Sequence, residues 1–96
     1  MSPLEIVQIL KDFKKNYASK YGILLIGVFG SVARDEATDK SDVDIVVKTT
    51  TPDPFNIVHI KEDLETRLDQ HVDIVRLRDN MSPLLLKRIK KEAIYV

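Results

Sequence analysis

An α/β (α+β) fold, a small mixed β-sheet packed against helices, is what this sequence predicts. Two long segments carry apolar residues at helical spacing, and each opens with a capping residue followed by proline. Three short apolar segments lie between helical ones and read as strands. Helices and strands thus alternate along the chain, which favours a sheet covered by helices.

The first helix begins at Ser2-Pro3-Leu4-Glu5. Ser2 suits the cap, Pro3 the first helical position, and Glu5 the reciprocal position of a capping box. Ile6, Leu10, Phe13 and Tyr17 form the apolar stripe, and Gly22 ends it. Ile23 to Phe29 is almost continuously apolar, as in a strand covered on both faces. Gly30-Ser31 breaks that strand, and a short polar helix or turn is expected after it. Asp42 to Lys48 holds the second strand. Asp53-Pro54 opens the second long helix, with Ile57, Ile60, Leu64 and Leu68 inward. Val72 to Val75 is the third strand. Ser82-Pro83 opens the last helix, with Leu85, Leu86 and Ile89 inward, and Ala93 to Val96 is expected to add a short terminal strand.

At 96 residues the chain is expected to form a single domain over 1–96. Its 15 basic and 15 acidic residues cancel, so net charge does not mark a general polyanion binder, and no direct nucleic-acid binding is expected. Arg76, Arg78, Lys87, Arg88, Lys90 and Lys91 nevertheless cluster toward one end, either as a solvated helix face or as a surface for an acidic partner or phosphates. The absence of cysteine excludes disulfides and thiolate metal sites. No apolar run reaches membrane-spanning length and the N-terminus lacks a signal pattern, so a cytoplasmic protein without a membrane partner is expected.

Asp42, Asp44 and Asp73 interrupt otherwise apolar strand patterns. Residues two apart on a strand share a face, so Asp42 and Asp44 are neighbours. Two like charges side by side are costly unless a cation balances them, and carboxylate oxygens suit a hard ion such as magnesium. Asp73 joins them if its strand lies beside the second. Alone, Asp-x-Asp also fits a solvated strand end, and Gly30-Ser31 alone fits an ordinary turn. Together they point further, because a glycine turn leading into a helix start offers free N–H groups, close approach and a hydroxyl to a phosphate.

Gly30-Ser31-Val32-Ala33-Arg34, followed by Ser41-Asp42-Val43-Asp44, resembles the signature of the DNA polymerase beta-type nucleotidyltransferase superfamily. More narrowly, it resembles the minimal nucleotidyltransferases, or MntA-like proteins. The resemblance implies the nucleotidyltransferase fold and transfer of a nucleoside monophosphate from a nucleoside triphosphate to a hydroxyl. It further implies ATP as donor and two magnesium ions on Asp42, Asp44 and Asp73, with Asp73 assisting deprotonation of the acceptor. Gly30 and Ser31 would hold the triphosphate. Arg34 would pair either with phosphate or with Asp35, Glu36 or Asp39. The implied partner is a HEPN-type helical toxin, adenylylated on a tyrosine in a hetero-oligomer, with this chain as the antitoxin.

One position departs from the family pattern: Asp35 stands where glycine often follows the arginine. His59 and His71 have no partner motif and read as structural or solvent-exposed. Tyr17, Tyr21 and Tyr95 read as core or rim aromatics. Two other functions fit the same sequence. One is a non-catalytic protein that neutralises a partner by binding it. The other is a small-molecule nucleotidyltransferase that needs a partner subunit. The complete set of three carboxylates favours the enzyme.

Overall fold

The computed structural model describes residues 2–38 and 40–96. Its elements are α1 (Pro3–Tyr21), β1 (Ile23–Phe29), β2 (Val43–Thr49), α2 (Pro54–Leu68), β3 (Val72–Arg76), α3 (Pro83–Glu92) and β4 (Ile94–Tyr95).

The caps form as their sequences dictate. Ser2 Oγ accepts from the Glu5 backbone N–H at 3.3 Å, and Glu5 Oε1 accepts from the Ser2 N–H at 3.4 Å. Asp53 Oδ1 accepts from Phe55 and Asn56 N–H groups at 2.9 and 3.4 Å at the start of α2. Each such cap stabilises its helix by about 1 kcal/mol. Ser82 is different: its side chain makes no cap bond, so α3 is entered through the fixed φ of Pro83 alone.

The four strands form one mixed sheet in the order β3-β2-β1-β4. β1 is antiparallel to both β2 and β4, while β2 and β3 are parallel and joined through α2. Alternation along each strand divides the core in two. On one face Ile26, Val28, Val43, Ile45 and Val47 meet Ile6, Leu10 and Phe13 of α1 and Ile60, Leu64 and Leu68 of α2. On the other, Phe29 and Val46 meet Met81 and Ile89, with Leu85 and Leu86 packed beside them. Burying each of the larger side chains contributes roughly 1.5–3 kcal/mol.

Phe13, Tyr17 and Tyr21 stack along α1, and the Arg67 guanidinium of α2 lies 5.6 Å from the Phe13 ring and 5.1 Å from the Tyr17 ring. Tyr95 and His59 are exposed, and His71 is exposed with its Nδ1 3.5 Å from Glu65. β1 is covered on both faces only from Ile26 onward. Ile23 is buried in the core, but Leu24 and Leu25 are exposed beside a register shift between Ile23 and Leu25. The terminal strand is Ile94–Tyr95, and the Val96 N–H extends it by donating to Ile26 O at 3.1 Å.

Candidate active site

The sheet lines up three strands at one end. Phe29 of β1 lies opposite Asp44 of β2, and Asp44 lies opposite Asp73 of β3. Asp44 shares its face with Val46, two residues on, and Asp73 shares its face with Val75. Both therefore lie on the side of the sheet that α3 covers. Asp42 immediately precedes β2, two residues from Asp44. The parallel pairing of β2 with β3 is what brings Asp73, distant in sequence, beside Asp44.

The environments differ. Asp42 and Asp73 are exposed, whereas Asp44 is half-buried. Burial, above all, pushes the Asp44 carboxyl above the ordinary carboxylate range, and repulsion from Asp73 adds to it. Arg88 opposes that rise, Asp42 adds to it, and Arg34 opposes it weakly. Three neighbouring oxygen-donor groups of like charge suit a divalent cation by their chemistry. Among the described residues, no three carboxylates or imidazoles converge as a ready-made cage.

Gly30 ends β1 with φ +73, in the left-handed region. A Cβ there would fall on an Asp44 carboxylate oxygen and lie 3.0 Å from its Cγ. Glycine is thus required both for the turn and for the approach to Asp44. The chain then makes a single helical turn, not a helix. Arg34 N–H donates to Gly30 O at 3.1 Å, Asp35 N–H to Val32 O at 3.0 Å, and Glu36 N–H to Ser31 O at 2.8 Å. The last two bonds form the pattern that closes a helix around a left-handed residue. That residue is Asp35, at φ 57.

A left-handed residue at position 35 gives the glycine that the resemblance implies there a conformational reason, and aspartate is among the few side chains that tolerate it. Asp35→Gly is expected to raise stability by about 0.5–1 kcal/mol, and Asp35→Val to lower it by about 1–2 kcal/mol. Urea denaturation of the two variants reads this directly, and the opposite order would refute it.

Two side chains of α3 approach this region: Glu92, which the sequence did not single out, and Arg88, which it noted only as part of the basic cluster. Glu92, the last residue of α3, accepts from the Gly30 N–H at 3.2 Å through Oε2 and from Arg34 Nη1 at 2.9 Å through Oε1. Arg34 Nε also donates to Glu36 at 3.2 Å. Of the local carboxylates considered for Arg34, Glu36 is thus a partner; Asp39 lies outside the described residues. Arg88, one turn before Glu92, sits 6.0 Å from the centroid of the Phe29 ring. Residues 88 and 92 share a helix face, and Ile89 between them is buried. Helical spacing shows that 88 and 92 go together, but nothing in the sequence indicates that they meet residues 29–34. A recess of about 460 Å³ touches the site at Asp42 and runs past Glu65, Asp69 and His71, away from Gly30 and Asp73.

Residues 9–96 match the profile of the polymerase beta nucleotidyltransferase family. The chain belongs to that family. Among its relatives, the protein adenylyltransferase MntA of Thermococcus cleftensis is 37% identical over 93 residues, covering 96% of this chain and 93% of the relative. The solved structure of a minimal nucleotidyltransferase superposes with a TM-score of 0.79 at 32% identity, over 98% of this chain and 95% of the other. A complex of the tri-AMPylated Shewanella oneidensis HEPN toxin with its MNT antitoxin gives a TM-score of 0.67 at 27% identity, over 99% of this chain and 71% of that one. A toxin–antitoxin structure with AMP-PNP gives 0.73 at 27%, over 94% and 70%. This polymerase beta-type chain is a nucleotidyltransferase of the minimal kind, and its sheet with three helices is the nucleotidyltransferase fold.

Proposed function

We propose that this chain transfers AMP from ATP to a tyrosine hydroxyl of a HEPN-type toxin, and that it acts as that toxin's antitoxin in the cytoplasm. The observation that carries the reading is the single row of Phe29, Asp44 and Asp73, with Gly30 pressed against Asp44. The carboxylates and the phosphate turn meet there. The full-length match to a protein adenylyltransferase and the likeness to a toxin-bound antitoxin support the choice of acceptor.

Magnesium would be held by Asp42, Asp44 and Asp73, whose mutual repulsion it relieves. When bound, two such ions supply neutralisation of the leaving pyrophosphate and a lowered pKa at the acceptor hydroxyl. Gly30, Ser31 and Arg34 hold the triphosphate, and Asp44 is kept in reach by the missing Cβ at Gly30. The acceptor oxygen attacks the α-phosphorus, the bond from that phosphorus to the bridging oxygen breaks, and pyrophosphate leaves. The hydroxyl proton passes to Asp73, which is exposed and therefore open to an incoming acceptor. The exposure of Asp42 and Asp73 at one end of the sheet leaves room for a partner's hydroxyl to reach the carboxylates.

The test is to incubate the protein with the HEPN-type toxin of its own genome, magnesium and α-labelled ATP, and to locate the label by mass spectrometry. Adenylyl groups on a toxin tyrosine are expected. Asp73→Asn is expected to lower transfer by about 10³-fold or more, the scale of losing a general base, while ATP affinity changes little. Neutralisation of the toxin by Asp73→Asn at full strength, without label, would establish the binding-only protein instead.

A further inference from the structure

We propose that Glu92 is a positioning residue for the nucleotide, a clamp that fixes the Gly30–Arg34 turn for the triphosphate. The proposal rests on the reading that this turn holds the phosphates. Glu92 uses its two oxygens separately, one for the Gly30 N–H and one for Arg34 Nη1. It thus joins the first and last residues of the turn across its mouth, while the Arg34 N–H to Gly30 O bond joins them through the backbone.

The clamp has a firm base. The Glu92 side chain is only 14% exposed, and α3 is anchored in the core by Ile89. Arg34 is a long side chain that is 40% exposed and would otherwise sample many rotamers. Glu92 and Glu36 take its Nη1 and Nε. Among the described residues, no protein acceptor engages Nη2, which remains for an anion. Ordering Arg34 beforehand lowers what binding must spend on ordering it. The neighbouring arginine also offsets the Glu92 charge, so the carboxylate repels an incoming triphosphate less than a lone one would.

A plain surface ion pair would join Arg34 to Glu92 and stop there. The shared bond to the Gly30 N–H, 62 residues away in sequence, is what gives the contact control over the turn.

Calorimetric titration with magnesium-ATP and with magnesium-tripolyphosphate tests this on wild type, Glu92→Gln, Glu92→Ala, Arg34→Ala and the Glu92→Ala/Arg34→Ala double variant. Thermal melts of each confirm folding. Glu92→Ala is expected to weaken both ligands about tenfold, the effect of one charge-assisted hydrogen bond. Glu92→Gln keeps the size and one acceptor oxygen, so an intermediate loss is expected from a variant that also preserves the packing. The double variant is expected to lose far less than the product of the two single losses, because Glu92 acts through Arg34. Independent losses in the double variant, wild-type affinity in Glu92→Ala or Glu92→Gln, or a loss confined to ATP would each overturn the clamp. Wild-type affinity in Arg34→Ala, with Glu92→Ala impaired, would overturn the phosphate reading on which the clamp depends.

Discussion

Replacing Asp44 by asparagine is expected to abolish nucleotidyl transfer while making the metal-free protein more stable. The site loses its central carboxylate, and several kcal/mol of transition-state stabilisation go with it, or about 10³-fold or more in rate. The stability gain has a separate cause. Burial and the neighbouring Asp73 raise the carboxyl's folded pKa above its usual value of 3.8. The folded state therefore binds this proton more tightly than the unfolded chain does. Linkage then makes ionised Asp44 a penalty on folding that is fully present above the folded pKa. The penalty fades as pH falls through that value and is gone below the unfolded one. Thermal melts without metal should show Asp44→Asn above wild type at neutral pH, with the two curves converging below about pH 3.8. Adding magnesium should raise the wild-type midpoint and leave that of the variant nearly unmoved. A variant less stable than wild type at neutral pH would show that Asp44 supports the fold instead of straining it.

Gly30→Val is expected to have the second large effect, on folding and chemistry together. A β-branched residue at φ +73 costs about 1–3 kcal/mol from backbone strain alone. Its Cβ would in addition fall on the Asp44 carboxylate, so either the turn or Asp44 must move. A total near 3 kcal/mol corresponds to a melting temperature lower by roughly 12–24 °C for a domain of this size. Transfer, assayed well below that midpoint, should fall by about 10³-fold or more, as in Asp44→Asn, since displacing either the turn or the carboxylate disrupts the proposed site. Val32→Ile, a change of one methylene at a buried position of the same turn, is the control and should retain most activity. A folded Gly30→Val protein that transfers label normally would place the phosphates elsewhere.

Much of the fold was legible because its signals are local. The Ser2–Glu5 box, the Asp53-Pro54 start and the helical stripes all act within one or two turns, and each appears where its residues put it. Ser82 was less informative, since a serine before a proline marks a helix start whether or not its hydroxyl bonds to the backbone. The turn after Gly30 stops short of a helix because Asp35 adopts a left-handed conformation, which a residue other than glycine does not advertise. The proximity of Asp42 and Asp44 follows from the two-residue period of a strand. That of Asp73 required strand order, which the sequence leaves open and the parallel β2–β3 pairing settles. Glu92 was hidden for the same reason: its contact with Gly30 spans 62 residues and depends on how α3 and β4 return to β1.

The distance along the chain between Gly30 and Glu92 also bears on how the protein is made. Contacts far apart in sequence form late, because a long loop must close before they can. A chain growing from its N-terminus exposes Asp42, Asp44 and Asp73 to water while residues 83–96 are still being added. The β2–α2–β3 unit can pair and gather its carboxylates at that stage, but the turn at residue 30 has no Glu92 to hold it.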